Sequence, residues 1–111
     1  MSDGPSFEDL KKQYFFLDTN FNRLSAACQT DEQRDQLRRE YVNARDNFWE
    51  ARNRAFREDD PLVQSLNEEL KDAQNKIEQL LSGEKNIAEL LNVIAQAVGL
   101  ASRLITLGSS V

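Results

Sequence analysis

Apolar side chains recur along the first quarter of the chain at alternating intervals of three and four: Phe7, Leu10, Tyr14, Leu17, Phe21, Leu24 and Cys28. That repeat gathers every member onto one side of an α-helix, and a strand, with its period of two, cannot produce it. A second run, Leu37, Tyr41, Ala44, Phe48, Ala51 and Ala55, keeps the alternation, and a third carries Val63, Leu66, Leu70, Ala73, Ile77 and Leu80. The last stretch, from about Asn86 to Leu107, is apolar over a wider face.

Local signals divide these runs. Ser6 with Asp9 reads as a helix start, and Thr30 with Gln33 has the capping-box spacing. Asp60-Pro61 opens the third helix, since proline fits the first turn and an aspartate can accept the unpaired amides beyond it. Gly83 reads as a left-handed C-terminal cap. The pattern therefore predicts helices over about 6–28, 31–58, 61–82 and 86–107, with 1–5 and 108–111 as flexible ends, all in a single domain of 1–111. The expected fold class is all-α: an antiparallel, up-down-up-down four-helix bundle with coiled-coil-like seams, helix 4 the most buried, and open to homo-oligomerisation.

Charge sharpens the reading of helix 4. Of 14 basic and 19 acidic residues, only Glu89 and Arg103 fall at or after Ile87. Such a segment must be covered by its own core, a partner or lipid. On a helical wheel Glu89, Asn92, Gln96 and Arg103 occupy a polar arc of roughly 60°. Beside it runs a strip of small residues, Ala88, Ala95, Gly99, Ser102 and Thr106. About 21 residues at ~1.5 Å each could span a bilayer. Arg103 within it would cost on the order of 3 kcal/mol, which favours protein neighbours over lipid. Ala95, Gly99 and Ser102 are the expected face for close helix packing or for an oligomer contact, and Ala97 with Ala101 offers the same four-residue spacing.

Some large apolar residues exceed what one seam can bury. Tyr14-Phe15-Phe16-Leu17 places four on consecutive positions, so Phe15 and Phe16 diverge to either flank. On helix 2, Val42, Trp49 and Phe56 are spaced by seven in a second stripe, flanked by Arg45 and Arg52. Aromatic residues beside arginine are typical of interface anchors, which makes these seven residues the candidate partner surface. The alternative is that both stripes are the shoulders of a wide core.

Candidate chemistry is sparse. The chain has no histidine, which removes imidazole metal sites and Ser-His or Cys-His nucleophile pairs. Cys28 is alone on a seam position and reads as a small buried residue in a reducing, cytoplasmic setting. Seven arginines fall between 31 and 60, but acids outnumber them there, and Asp35 with Arg39 and Glu50 with Arg54 are spaced as helix ion pairs. With a net charge of -5, nucleic acid is not an expected partner. No catalytic, cofactor or metal site is expected. The expectation is a non-enzymatic interaction module, an adaptor, inhibitor, immunity-type or assembly subunit, binding a protein partner or itself. The alternatives are a membrane-active protein that releases helix 4 and a bundle that holds a small apolar ligand.

Overall fold

The structure is a computed structural model that describes residues 4–83 and 86–110, and of 109 and 110 only the backbone. The sequence-predicted ends at 1–3 and 111 lie outside these residues. Four helices are present, α1 Pro5–Ala27, α2 Asp31–Ala51, α3 Pro61–Ser82 and α4 Ile87–Gly108, with two short strands, β1 Ala55–Phe56 and β2 Ser109–Ser110.

Three helix starts follow their local chemistry. The Thr30 hydroxyl accepts from the Gln33 amide at 3.1 Å, and Gln33 Oε1 returns to the Gln29 amide at 2.7 Å. Asp60 Oδ1 accepts from the Leu62 amide at 2.8 Å, and Asn86 Oδ1 accepts from that of Ala88 at 2.8 Å. At α1 the expected Ser6 cap is replaced. Gly4 occupies the cap position and Ser6 lies in the first turn, donating its amide to Glu58 Oε2 at 3.2 Å and its hydroxyl to Glu58 Oε1 at 2.6 Å. A carboxylate from far along the chain thus meets the positive end of the helix dipole. Gly83 also departs from expectation, with φ -83 and ψ -2 in the right-handed region, so no left-handed cap forms there.

The largest difference concerns the end of helix 2. It stops at Ala51, short of the predicted 58, and tight turns follow as the Asn53 amide donates to Glu50 O and the Arg54 amide to Ala51 O. The chain then extends, pairing Ala55 with Ser110 and Phe56 with Ser109 in an antiparallel ladder. Arg57 donates its amide to Gly108 O at 2.9 Å and its Nη2 to Leu107 O at 2.8 Å. These bonds satisfy carbonyls that the end of α4 would leave unpaired, so a tertiary pairing overrides a local helical pattern. Ala55 is consequently exposed instead of joining the seam. Residues 108–110, read as part of a flexible end, are held in helix and strand.

Spatial order differs from chain order. α1 packs on α2, α2 on α4, α4 on α3 and α3 on α1, so α2 and α3 stand at opposite corners and the segment 52–60 crosses the end of the bundle. Phe7 meets Phe48 while Phe21 meets Tyr41, as in a helical hairpin whose arms run oppositely. Ser6 meets Asn67 while Arg23 reaches Leu81 O, so α1 and α3 run the same way. α4 touches all three other helices, as α1 does, and its wide apolar face makes extensive contact with α2 and α3. Leu91, Ile94, Ala97, Ala101 and Leu104 from α4 are buried with Leu10, Leu17 and Leu24 of α1, Leu37 of α2, and Val63, Leu66 and Ile77 of α3. Each buried leucine or isoleucine contributes on the order of 2 kcal/mol.

Candidate functional site

Aromatic residues repeat every seven positions on α1, at Phe7, Tyr14 and Phe21, and on α2, at Tyr41 and Phe48. The hairpin brings the two series face to face. Phe7 lies 5.7 Å from Phe48 between ring centroids, Tyr14 stacks on Phe48 at 5.4 Å, and Tyr41 meets Tyr14 at 5.8 Å and Phe21 at 5.0 Å. Phe15 and Trp49 extend this ladder outward, each joined to Phe48, at 5.6 and 6.0 Å. All the aromatic residues of the chain except Phe16 and Phe56 belong to it.

The inner rings of the ladder are half-buried and its outer edge is wet. Phe15 is 47% exposed and Trp49 is 52% exposed. Each has a cation over its face, the Lys11 ammonium 5.8 Å from the Phe15 ring and the Arg52 guanidinium 4.7 Å from that of Trp49. Asp18 fixes one end, accepting the Tyr41 hydroxyl at 2.7 Å, and this hydrogen bond, aided by Tyr14, pushes the Tyr41 phenol well above its ordinary pKa. Trp49 sits in the last turn of α2 and Arg52 is its C-cap, so the early end of the helix sets their relation.

The structure divides the seven predicted interface residues. Phe15, Trp49 and Arg52 share this edge. Phe16 points to the other flank of α1, half-buried against the core, and lines a groove of about 670 Å3 with Phe15, Lys11 and Lys12. Val42 is half-buried on α2, and Arg45 lies beside Asp46 at 3.7 Å. Phe56 leaves the predicted stripe altogether, because α2 has ended and β1 turns it onto the core. The expected pair Glu50 and Arg54 forms at 3.0 Å, whereas Asp35 pairs with Arg38 at 3.2 Å and not with Arg39. The helical period alone places Phe48 and Tyr14 in a buried seam. Their seven-residue recurrence was the signal that they form a ladder instead.

On α4 the small strip lies largely at the surface. Gly99 is exposed, and a Cβ built on it would meet nothing within 4 Å. Ala95 is half-buried, and Ser102, though exposed, joins Asn47 of α2 through a 3.1 Å hydrogen bond. The small residues that do bury are Ala97 and Ala101, a different face of the same helix. Of the expected close-packing or oligomer face, Ser102 joins α2 and Ala95 is half-buried, while Gly99 lies open at the surface. Glu89, Asn92, Gln96 and Arg103 are exposed on the adjoining strip, as their polarity requires.

A second cluster lies between α1 and α3. Ser6 and Gln13 on α1 and Asn67 and Gln74 on α3 are buried polar residues, again spaced by seven. Asn67 donates to the Ser6 hydroxyl at 2.9 Å, joining the Glu58 cap. Farther along the seam both amide atoms of Gln13, Oε1 of Gln74 and Oδ2 of Asp9 are buried with no hydrogen-bond partner among the described residues. Each such group costs about 1–3 kcal/mol if unmet. Burial pushes the Asp9 carboxyl above its usual range, against the pull of Lys71 and Lys12. Burial likewise raises Glu40 on α2 and Cys28 after α1, at separate places in the fold. No protein-family model, curated protein or solved structure matches this chain.

Proposed function

We propose that this chain is a small, non-enzymatic, cytoplasmic protein-interaction module that binds a partner protein, or a second copy of itself, through the aromatic edge of α1 and α2. One observation carries the reading: an otherwise interlocked ladder of rings ends in two large aromatic side chains left about half exposed. Trp49 and Phe15 are rigid anchors with little side-chain entropy to lose, and their neighbours in the ladder already hold them in place. Arg52 and Lys11 lie over the rings and supply charge at the rim, where it orients a partner more than it adds affinity. The half-buried Phe16 adds apolar surface on the adjoining groove.

The test is the double variant Phe15→Glu, Trp49→Glu. It should keep the parent's far-ultraviolet circular dichroism and lose no more than about 1–2 kcal/mol in urea unfolding, because both residues lie at the edge of the core. Association, measured by light scattering for self-association or by co-sedimentation with a partner, should fall by at least about a hundredfold. A variant that unfolds, or one that associates as the parent does, contradicts the proposal. A second reading has α4 leave the bundle for a lipid surface. It is supported by a 22-residue helix long and apolar enough to cross a membrane, half of which is buried against its own chain. Liposome flotation of the intact chain decides it, since failure to bind anionic or neutral vesicles removes that reading.

A further inference from the structure

We propose that the outer face of α2, continued by the aromatic edge of α1, is a docking site for an acidic amphipathic helix of a partner protein. Arg38, Val42, Arg45, Trp49 and Arg52 follow one another at intervals of four, three, four and three, the seam spacing of a coiled coil. This second seam lies roughly 120° around the helix from the buried residues Leu37, Ala44 and Ala51. Arg38, Trp49 and Arg52 are exposed along it, and Val42 and Arg45 are half-buried. An open groove of about 360 Å3 over Arg38, Arg39 and Val42 continues the face toward the start of α2. The site includes the aromatic edge proposed above as the contact surface and depends on it; what is new is the charge and shape of the occupant.

The order of the groups sets the chemistry of that occupant. Successive arginines lie seven residues apart, roughly 10 Å, and a helix packed alongside can repeat its carboxylates at the same interval. Between them Val42 and Trp49 call for apolar side chains. Phe15, joined to Trp49 through Phe48, borders the other side. With Lys11 over Phe15, the face gathers four cations in a chain whose net charge is -5.

The cations can receive a partner's carboxylates. Arg52 stacks over Trp49 at 4.7 Å, which leaves its in-plane N–H groups directed outward, and it enters no ion pair among the described residues. Arg38 and Arg45 lie by Asp35 at 3.2 Å and Asp46 at 3.7 Å, with both pairs largely exposed. Exposed pairs of this kind are weak and exchange readily. Asp18, the acid on the α1 side, is occupied by the Tyr41 hydroxyl. A nucleic-acid strand, with a phosphate every ~3.4 Å, would meet Asp35 and Asp46 beside the arginines and would bring no apolar side chain to Val42.

Trp49 is the one tryptophan of the chain, so its fluorescence reports occupancy. The probes are two synthetic, tryptophan-free helical peptides of about three heptads, identical at their leucine positions and carrying either glutamate or lysine beside them. Titrated into the intact chain, the glutamate peptide should blue-shift the emission saturably and bind at least about tenfold more tightly than the lysine peptide, the reverse of what net charge alone would give. A variant with Arg38→Gln, Arg45→Gln and Arg52→Gln should bind it about tenfold more weakly, and Arg52→Gln alone keeps the test decisive if the triple variant fails to fold. Equal binding of the two peptides overturns the charge assignment and leaves the aromatic edge standing as a contact surface. If neither peptide binds at about 1 mM, the docking site is overturned, and association of the Phe15→Glu, Trp49→Glu variant shows separately whether the edge fails with it. Displacement of the glutamate peptide by a single-stranded oligonucleotide overturns the helix as occupant. So does loss of the chain's self-association in the arginine variant by light scattering, which would make the occupant a second copy.

Discussion

Two glycines on α4 have opposite environments, and substitution should have opposite effects. Gly99 faces open space in mid-helix, so Gly99→Ala should raise the unfolding free energy by about 0.5–1 kcal/mol through helix propensity. Gly108 is buried, and a Cβ there would lie 2.7 Å from Val63 Cγ2 and 3.2 Å from Leu104 Cδ1. Val63 is itself buried and stiff at its branched β-carbon, so Gly108→Ala should cost about 1–3 kcal/mol. Urea denaturation of the two variants against the parent checks both signs. Asp9 makes a pH-dependent prediction. Because its pKa is raised in the folded chain, its favourable contribution is complete below the unfolded pKa and is lost as pH rises through the folded one. Asp9→Asn should therefore be more stable than the parent at neutral pH, with the gain shrinking to nothing as pH falls through the carboxylate range. Glu40, also raised by burial, is present in both proteins and cancels in the comparison.

At the scale of elements, helix ends are completed by residues distant in the chain. Glu58 caps α1, Arg57 caps α4, and Arg23 Nη2 donates to Leu81 O at 3.0 Å near the end of α3. Glu58→Ala should cost about 2 kcal/mol, since it removes two hydrogen bonds to a carboxylate at a helix N-terminus, whereas Glu68→Ala on the exposed side of α3 should be near neutral. Unfolding midpoints of the two variants decide this. The same elements show what can be read from the sequence. Four helices, the Thr30 and Asp60 starts and the buried leucine seams were legible because hydrophobic period and capping are local properties. The end of α2 was not, because Ala55 keeps the helical period and only the pairing with 109–110 draws it into a strand. The Glu58 cap was hidden for the same reason, since its partner lies 52 positions away. Of the candidate surface, Phe15 and Trp49 were legible as a surplus over one seam. The ladder beneath them required knowing that α1 and α2 pack with their aromatic series opposed.

For the molecule as a whole, the placement of α4 buries about half of a long, apolar segment that is poor in charge. α4 lies against three helices, and its polar and small strips together form the side that faces water. With α4 taking the place beside α2, α3 moves to the far corner, and its contact with α1 is the polar seam that holds Gln13 and Gln74. The outer surface of the α1 and α2 hairpin is left to carry the aromatic edge. The most direct test of that edge is photo-crosslinking in the cells that produce the protein, with a benzoylphenylalanine replacing Trp49 and, as a control, Gln79 on the exposed side of α3. The account predicts one discrete adduct of defined mass at position 49, diminished by Phe15→Glu, and no such adduct at position 79. Absence of an adduct at position 49, or the same adducts from both positions, would contradict it.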